Sequence, residues 1–258
     1  MYYVVQENVF NEANYDNLVL ALDKLSLPYE IVKVKAFLKT FRVKTKRKDV
    51  FPFGSLKMAR LSAKRGWQPG SQMNANHDYL VYRDHYKENL LNYDSRIQKF
   101  GDDFFSKEIF FARPTQDTKV FTGKVFDMEQ WRDFVAYSLT NGHTTLLNID
   151  TEIQICSVKK IQQEIRFWIV KGEIVTASQY RLGNRLVLNE NIDQAAYEYC
   201  KKMVDIFQLN DAFVMDLALT ENGYKIVECG CINCAGFYKA DMQKLLMKLE
   251  DSFNCPMV

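Results

Sequence analysis

Two stretches, IQQEIRFWIVKGEIVTASQYR (161–181) and AFVMDLALTENGYKIVEC (212–229), constrain the fold more than anything else in the chain. Each is rich in β-branched and aromatic residues and each is interrupted once by a glycine-containing turn signal. That pattern reads as a β-hairpin. Two such hairpins call for an antiparallel sheet with a buried face, so register decides which side chains share a surface.

In the first hairpin a two-residue turn at Lys171-Gly172 pairs Val170 with Glu173 and, counting back, Arg166 with Ala177. Strand side chains alternate. Ile165, Phe167 and Ile169 therefore form the apolar face, while Glu164, Arg166, Gln179 and Arg181 share the polar one. Taken alone, that polar face reads most simply as a solvated outer surface. The second hairpin depends on its turn. With Asn222-Gly223 as a two-residue turn, Asp216 and Glu228 fall on opposite faces. With a three-residue loop, Glu221 to Gly223, Thr220 pairs with Tyr224, Ala218 with Ile226 and Asp216 with Glu228. The second register is expected here. Two carboxylates side by side repel unless a cation holds them, and Mg²⁺ is the hard partner for such oxygens together with phosphate.

The rest of the chain mixes helices and strands. YYVV, YEIVKV and DVFPFGS read as strands, and NYDNLVLALDKLSL and SLKMARLSAKRG as helices, the second running from Ser55 to Gly66. This gives a small α/β unit over residues 1–75. Further on, EIFFARPTQDTKVFTGKVF reads as two strands joined by a polar loop. MEQWRDFVAYSL, IDQAAYEYCKKMVDIFQ and KADMQKLLMKLEDSF read as amphipathic helices. The length of 258 residues suits one large domain or two small ones. At 47% hydrophobic and 26% charged the composition is that of a globular protein, and a net charge of +2 does not by itself argue for nucleic acid or membrane. No apolar run approaches the roughly 18 residues of a membrane helix. The start carries no secretory signal, so six reduced cysteines in a cytoplasm are the expectation.

The run VECGCINCAGFY (227–238) carries Cys229, Cys231 and Cys234. Three thiols with no neighbouring histidine fall short of the usual four zinc ligands. If the strand continues, Cys229 and Cys231 point away from the side of Glu228. They read as structural thiols.

Taken in order, these segments resemble the ATP-grasp enzymes. EIRFWIVKGEIVTASQYR is similar to the strand pair bearing phosphate-binding arginines in ligases that add glutamate to peptides or proteins. FVMDLALTENGYKIVECGCIN resembles the ATP-grasp metal hairpin. FFARPTQDTKVFTG, VFPFGSLKMAR and GWQPG resemble segments of a phage and bacterial clade named for two arginines and a lysine. The implied fold is mixed α/β (α+β). A pre-ATP-grasp unit over residues 1–75 would precede an ATP-grasp domain over 76–258, with subdomains of about 100–157 and 158–258 and antiparallel sheets.

The resemblance implies ATP and Mg²⁺ as cofactors and an ATP-dependent carboxylate–amine ligase working through an acyl phosphate. Arg166 and Arg181 would stabilise the transferring phosphoryl group or hold the acceptor carboxylate, with Glu164 orienting Arg166. Arg113, Lys119, Lys159 and Lys160 would contact the nucleotide, although a Lys-Lys pair also reads as a solvated strand end. Asp216 and Glu228 would bind the metal. Relatives carry Glu-x-Asn there, but this chain has Gly230 in the Asn position, and Asn233 stands in as the third candidate ligand. Replacing Asp216 or Glu228 by its amide is expected to abolish ATP turnover without lowering the melting temperature.

Other readings stay open. KVKAFLKTFRVKTKRK (33–48) is basic, with Phe37 and Phe41 interleaved, and reads either as a solvated face or as a nucleic-acid contact. An ATP-grasp fold also serves as an ATP- or nucleic-acid-binding module without ligase activity, or as a phosphotransferase to a hydroxyl. His77, His85 and His143 are too dispersed to form a ligand pair.

Overall fold

The structure is a computed structural model and describes residues 1–7, 14–34, 41–116, 120–141 and 147–254. The chain divides into two compact units, one formed by Met1–Ala75 with Ile161–Val258 and the other by Asn76–Lys160.

The first unit begins with β1 (Tyr2–Gln6), α1 (Tyr15–Lys24), β2 (Tyr29–Val32), β3 (Asp49–Phe53), α2 (Leu56–Arg65) and the short β4 (Gln68–Pro69). Their strands make a parallel sheet in the order β2-β1-β3-β4. Helix α1 buries Leu18, Ala21 and Leu22, so its apolar stripe faces the core. Helix α2 starts after Ser55 and stops at Gly66, whose φ of 61° is the left-handed conformation that closes many helices.

The second unit holds α3 (Tyr79–Tyr86), β5 (Arg96–Lys99), β6 (Phe110–Pro114), β7 (Lys124–Phe126), α4 (Met128–Asn141) and β8 (Glu152–Ser157). Its antiparallel sheet runs β5-β8-β6-β7. Phe100, Phe110, Phe126 and Trp131 pack in its core, largely edge to face. Strands β5 and β8 have no counterpart in the sequence reading, because neither run carries clear alternation between turn signals.

The chain returns to the first unit with β9 (Gln163–Val170), β10 (Glu173–Leu182), β11 (Arg185–Asn189), α5 (Gln194–Ile206), β12 (Ala212–Thr220), β13 (Gly223–Cys231) and α6 (Met242–Phe253). The five strands form an antiparallel sheet in the order β11-β10-β9-β12-β13, with β9 at the centre. Ile165, Phe167 and Ile169 lie on one face, where Phe167 meets Tyr197 of α5 edge to face. On the other face Trp168, Val170 and Val214 join Tyr3, Leu18, Phe51, Leu245 and Leu249 in one core. Residues 1–75 thus share a hydrophobic core with the last hundred residues. Among the described residues no helix is long and apolar enough to cross a membrane.

Candidate active site

The two hairpins reach their registers by bulges that alternation alone does not reveal. The Lys171-Gly172 turn forms as expected, with both residues at positive φ (51° and 78°) and Val170 opposite Glu173. A register shift then falls between Ile174 and Thr176, so Arg166 pairs with Ser178 rather than Ala177. A second shift between Gln179 and Arg181 leaves Gln179 opposite Ile165, on the apolar side, and brings Arg181 opposite Glu164. Gln179 is therefore corrected to the other face, while Arg181 returns to the polar one.

In the second hairpin Asp216 does stand opposite Glu228, but the route differs. The turn is Glu221-Asn222, with Thr220 paired to Gly223, Ala218 to Lys225 and Leu217 to Ile226. A bulge between Leu217 and Asp216 skips Val227 and puts Glu228 on the face of Asp216. The Glu221–Gly223 loop register, with Thr220 opposite Tyr224 and Ala218 opposite Ile226, is thus replaced by a shorter turn plus a bulge. Both bring the same carboxylates together.

The centre of the resulting cluster is buried rather than a solvated outer face, while Arg181 at its edge is exposed. Glu164, Arg166 and Asp216 expose only 5%, 9% and 2% of their surface. Arg166 grips Asp216 with two parallel hydrogen bonds, Nε to Oδ1 at 2.7 Å and Nη2 to Oδ2 at 2.8 Å. This fork geometry suits a guanidinium and a carboxylate. Nη2 also lies 3.9 Å from Oε1 of Glu228, whose side chain is 35% exposed. Arg181 donates from Nη1 to Oε1 of Glu164 at 2.6 Å. Glu164 therefore orients Arg181, where the sequence reading had it orient Arg166.

Two tyrosines complete the cluster, and sequence reasoning missed both. The Tyr180 hydroxyl donates to Oε2 of Glu164 at 2.6 Å and lies 3.2 Å from Oδ2 of Asp216. Strict alternation between Gln179 and Arg181 hides this residue, and only the bulge brings it to the site. Tyr238 stacks on Tyr180 at 4.7 Å, and its ring lies 4.9 Å from the Arg166 guanidinium. Tyr238 has φ 49°, an expensive conformation for a bulky residue and one that clusters at functional sites. Its loop is held by Lys239 N–H donating to Ser178 Oγ and Asp241 N–H donating to Thr176 Oγ1.

Electrostatics follow from burial. Desolvation pushes the Asp216 carboxyl above its ordinary range against the pull of Arg166, and Glu228 and Glu164 add to the push. Burial works against the Arg166 charge, but Asp216 more than offsets it, so the guanidinium stays charged. The Tyr180 phenol is held well above its usual range by burial and by the carboxylates of Asp216 and Glu164, so it remains a proton donor.

Asp216 and Glu228 are the hard oxygen donors this face offers a divalent cation: two carboxylates opposite one another, one of them partly exposed. The amide of Asn233 is engaged elsewhere. Its Nδ2 donates to the Pro52 carbonyl, and its Oδ1 accepts from Gln72 N–H and the Cys231 thiol. Its backbone carbonyl accepts from Gly54 N–H. Buried to 2% exposure, Asn233 fastens the Gly54 and Gly70 turns of the N-terminal segment to the end of β13. At Gly230 a Cβ would lie 3.3 Å from Val214 Cγ2, a tight contact that the Val214 methyl would have to yield to by a few tenths of an ångström. Cys229 pairs with Met215, on the face opposite the acids. Among the described residues no group of three or more His, Cys, Asp and Glu could hold a metal.

The remaining candidates lie in the second unit or outside the described residues. Arg113 sits on β6 opposite Gln154. Lys159 donates to Asp94 Oδ2 at 2.5 Å and to Ser157 Oγ at 3.0 Å, and Lys160 is exposed. Lys119 lies outside the described residues, as does Phe37. In the basic stretch Phe41 packs against the core of Val4, Val43 and Trp67 rather than standing free to stack a base. Glu30 accepts from the backbone of Lys44 and Thr45, and Arg47 pairs with Asp49.

This arrangement of sheets is a known one. The fold is similar to that of D-alanine–D-alanine ligase from Bacillus anthracis complexed with ATP, with a TM-score of 0.62 at 14% identity over 98% of this chain and 97% of that one. It is also similar to a RimK domain ATP-grasp protein from Sphaerobacter thermophilus (TM-score 0.60, 11% identity, 95% and 98% covered). A third similar structure is the ATP-grasp ligase PsnB complexed with a minimal precursor (TM-score 0.57, 10% identity, 97% and 98% covered). At such identities the likeness establishes the fold, which is ATP-grasp. The model for the third ATP-grasp domain family of the clade named for two arginines and a lysine matches residues 28–249, and the chain belongs to that family. No curated protein sequence matches it.

Proposed function

We propose that the protein is an ATP- and Mg²⁺-dependent ligase joining a carboxylate to an amine through an acyl phosphate. The observation that carries this reading is the convergence of Arg166, Arg181, Glu164, Asp216 and Glu228 on one face of the β9–β13 sheet. Membership in an ATP-grasp family and a fold shared with ligases support it.

Asp216 and Glu228 would hold Mg²⁺, which when bound neutralises charge on the nucleotide's phosphate oxygens. Arg166 and Arg181 would supply guanidinium charge to the transferring phosphoryl group or to the acceptor carboxylate. Glu164 and Tyr180 hold Arg181 and Asp216 in place. Lys119 and Arg113 are assigned to the nucleotide phosphates, and Lys159 or Lys160 to contacts with its adenine. In the first step the substrate carboxylate oxygen bonds to the γ-phosphorus and ADP leaves. In the second the amine nitrogen bonds to the acyl carbon, phosphate leaves, and the nitrogen sheds a proton. No protein nucleophile is required; positioning and charge do the chemistry.

The test is ADP release from Mg-ATP on adding panels of acids and amines, beside a thermal-shift scan with Mg-ATP. A nucleotide-dependent rise in melting temperature and an acid-plus-amine-dependent release of ADP are expected. Undiminished turnover in both Asp216→Asn and Glu228→Gln would sink the assignment.

A further inference from the structure

The charges of the site are already paired with one another. Asp216 Oδ1 takes Nε of Arg166, and Oδ2 takes Nη2 of Arg166 and lies beside the Tyr180 hydroxyl. Glu164 is taken by Arg181 and Tyr180. Arg166 itself is enclosed, 9% exposed, with the Tyr238 ring at 4.9 Å, the Tyr180 ring at 5.8 Å and the Gly236 carbonyl at 3.4 Å. The carboxylate assigned to a metal is thus held by the cation assigned to a phosphate.

We propose that Arg166 is an exchangeable counter-ion that makes metal and nucleotide bind together and neither bind well alone. The proposal rests on Asp216 and Glu228 being the metal ligands. A divalent cation that drew Asp216 away by itself would leave a buried guanidinium without its carboxylate. A phosphate that drew Arg166 away by itself would face the carboxylates of Asp216, Glu228 and Glu164. Separating a buried ion pair without replacing either partner is strongly unfavourable. When metal and phosphate arrive together, Arg166 passes to phosphate and Asp216 to the metal, and both charges keep a partner. Coupling of this kind is reciprocal, so each ligand tightens the other by the same factor, here roughly 100-fold or more. The tyrosine pair sets how readily Arg166 is released, because its stacked rings lie against the guanidinium.

The experiment is Mn²⁺ binding followed by electron paramagnetic resonance, alone and with a non-hydrolysable ATP analogue. It uses the full chain and the variants Arg166→Gln and Tyr238→Leu, with analogue affinity measured in parallel by calorimetry. The unmodified protein is expected to bind Mn²⁺ roughly 100-fold more tightly with the analogue than without it. Arg166→Gln should bind Mn²⁺ alone at least tenfold more tightly than the unmodified protein and lose most of the coupling. If that variant does not fold, Tyr238→Leu carries the test, with a gain of several-fold in binding Mn²⁺ alone. Equal Mn²⁺ affinity with and without bound analogue, or no gain in the variant that folds, would overturn the exchange while leaving the ligase reading intact. If Mn²⁺ fails to bind even when the analogue is bound, the metal assignment of Asp216 and Glu228 falls, and the exchange falls with it.

Discussion

One face of one strand behaves in two ways. Along β9, Glu164 and Arg166 sit four and two residues before Trp168, and all three point to the same side of the sheet. At the Trp168 end that face is closed by apolar contact with Tyr3, Leu18, Phe51 and Leu245. At the Arg166 end it is closed by charge, each buried acid meeting an arginine and a tyrosine hydroxyl. Both ends are buried, but only the charged end offers groups that an incoming ligand can satisfy equally well. Removing one member of a buried ion pair is strongly unfavourable unless another charge takes its place, a condition that apolar contact does not impose.

The contrast can be broken at either end. At the charged end, Asp216→Ala should bring ATP turnover to background and cost about 3–5 kcal/mol, because Arg166 is left buried without its partner. Denaturant unfolding beside ADP release checks both. This revises the sequence expectation of an unchanged melting temperature, which suits an exposed ligand and not one that is 2% exposed. At the apolar end, Trp168→Ala should cost a similar ~3–5 kcal/mol by leaving a cavity, yet keep a melting-temperature rise on adding Mg-ATP. If that rise is lost, the two ends are not separable.

Asn233→Ala should come next, at about 2–3 kcal/mol, because the Gln72 N–H would be left buried without an acceptor. Calorimetric unfolding with and without Mg²⁺ should give the same loss; a loss seen only with Mg²⁺ would return Asn233 to the metal. Glu228→Gln should leave stability within roughly 0.5 kcal/mol, given its partly exposed side chain, while abolishing turnover. Last, Arg47→Ala should cost less than about 1 kcal/mol by urea titration, since its pair with Asp49 is half exposed.

Much of this was legible in the sequence, and the failures share a cause. The helices from Tyr15, Leu56, Gln194 and Met242 follow from apolar periodicity, the second also from the Gly66 that ends it. The Lys171-Gly172 turn also follows from the residues, whereas the expected facing of Asp216 and Glu228 is reached by another route, a shorter turn plus a bulge. Tyr180, the true position of Gln179 and the Glu221-Asn222 turn do not follow from the sequence, because each depends on a bulge. A bulge is set by how neighbouring strands twist together, which local composition does not encode. Asn233 misleads for a related reason: its amide is used up by Pro52, Gly70 and Gln72, all more than 160 positions away in sequence. The 33–48 stretch looks basic, but Glu30 and Asp49, just outside it, hold part of it in place.

The bulge at Val227 has a consequence for how such a chain tolerates changes in length. Between Gly223 and Glu228 the strand carries one residue more than a straight ladder needs to set Glu228 opposite Asp216. Deleting any one residue between them can be absorbed by straightening the bulge, and the two acids still meet. The hairpin therefore holds a spare residue, a reserve against single deletions placed next to the position where a slip would do most harm.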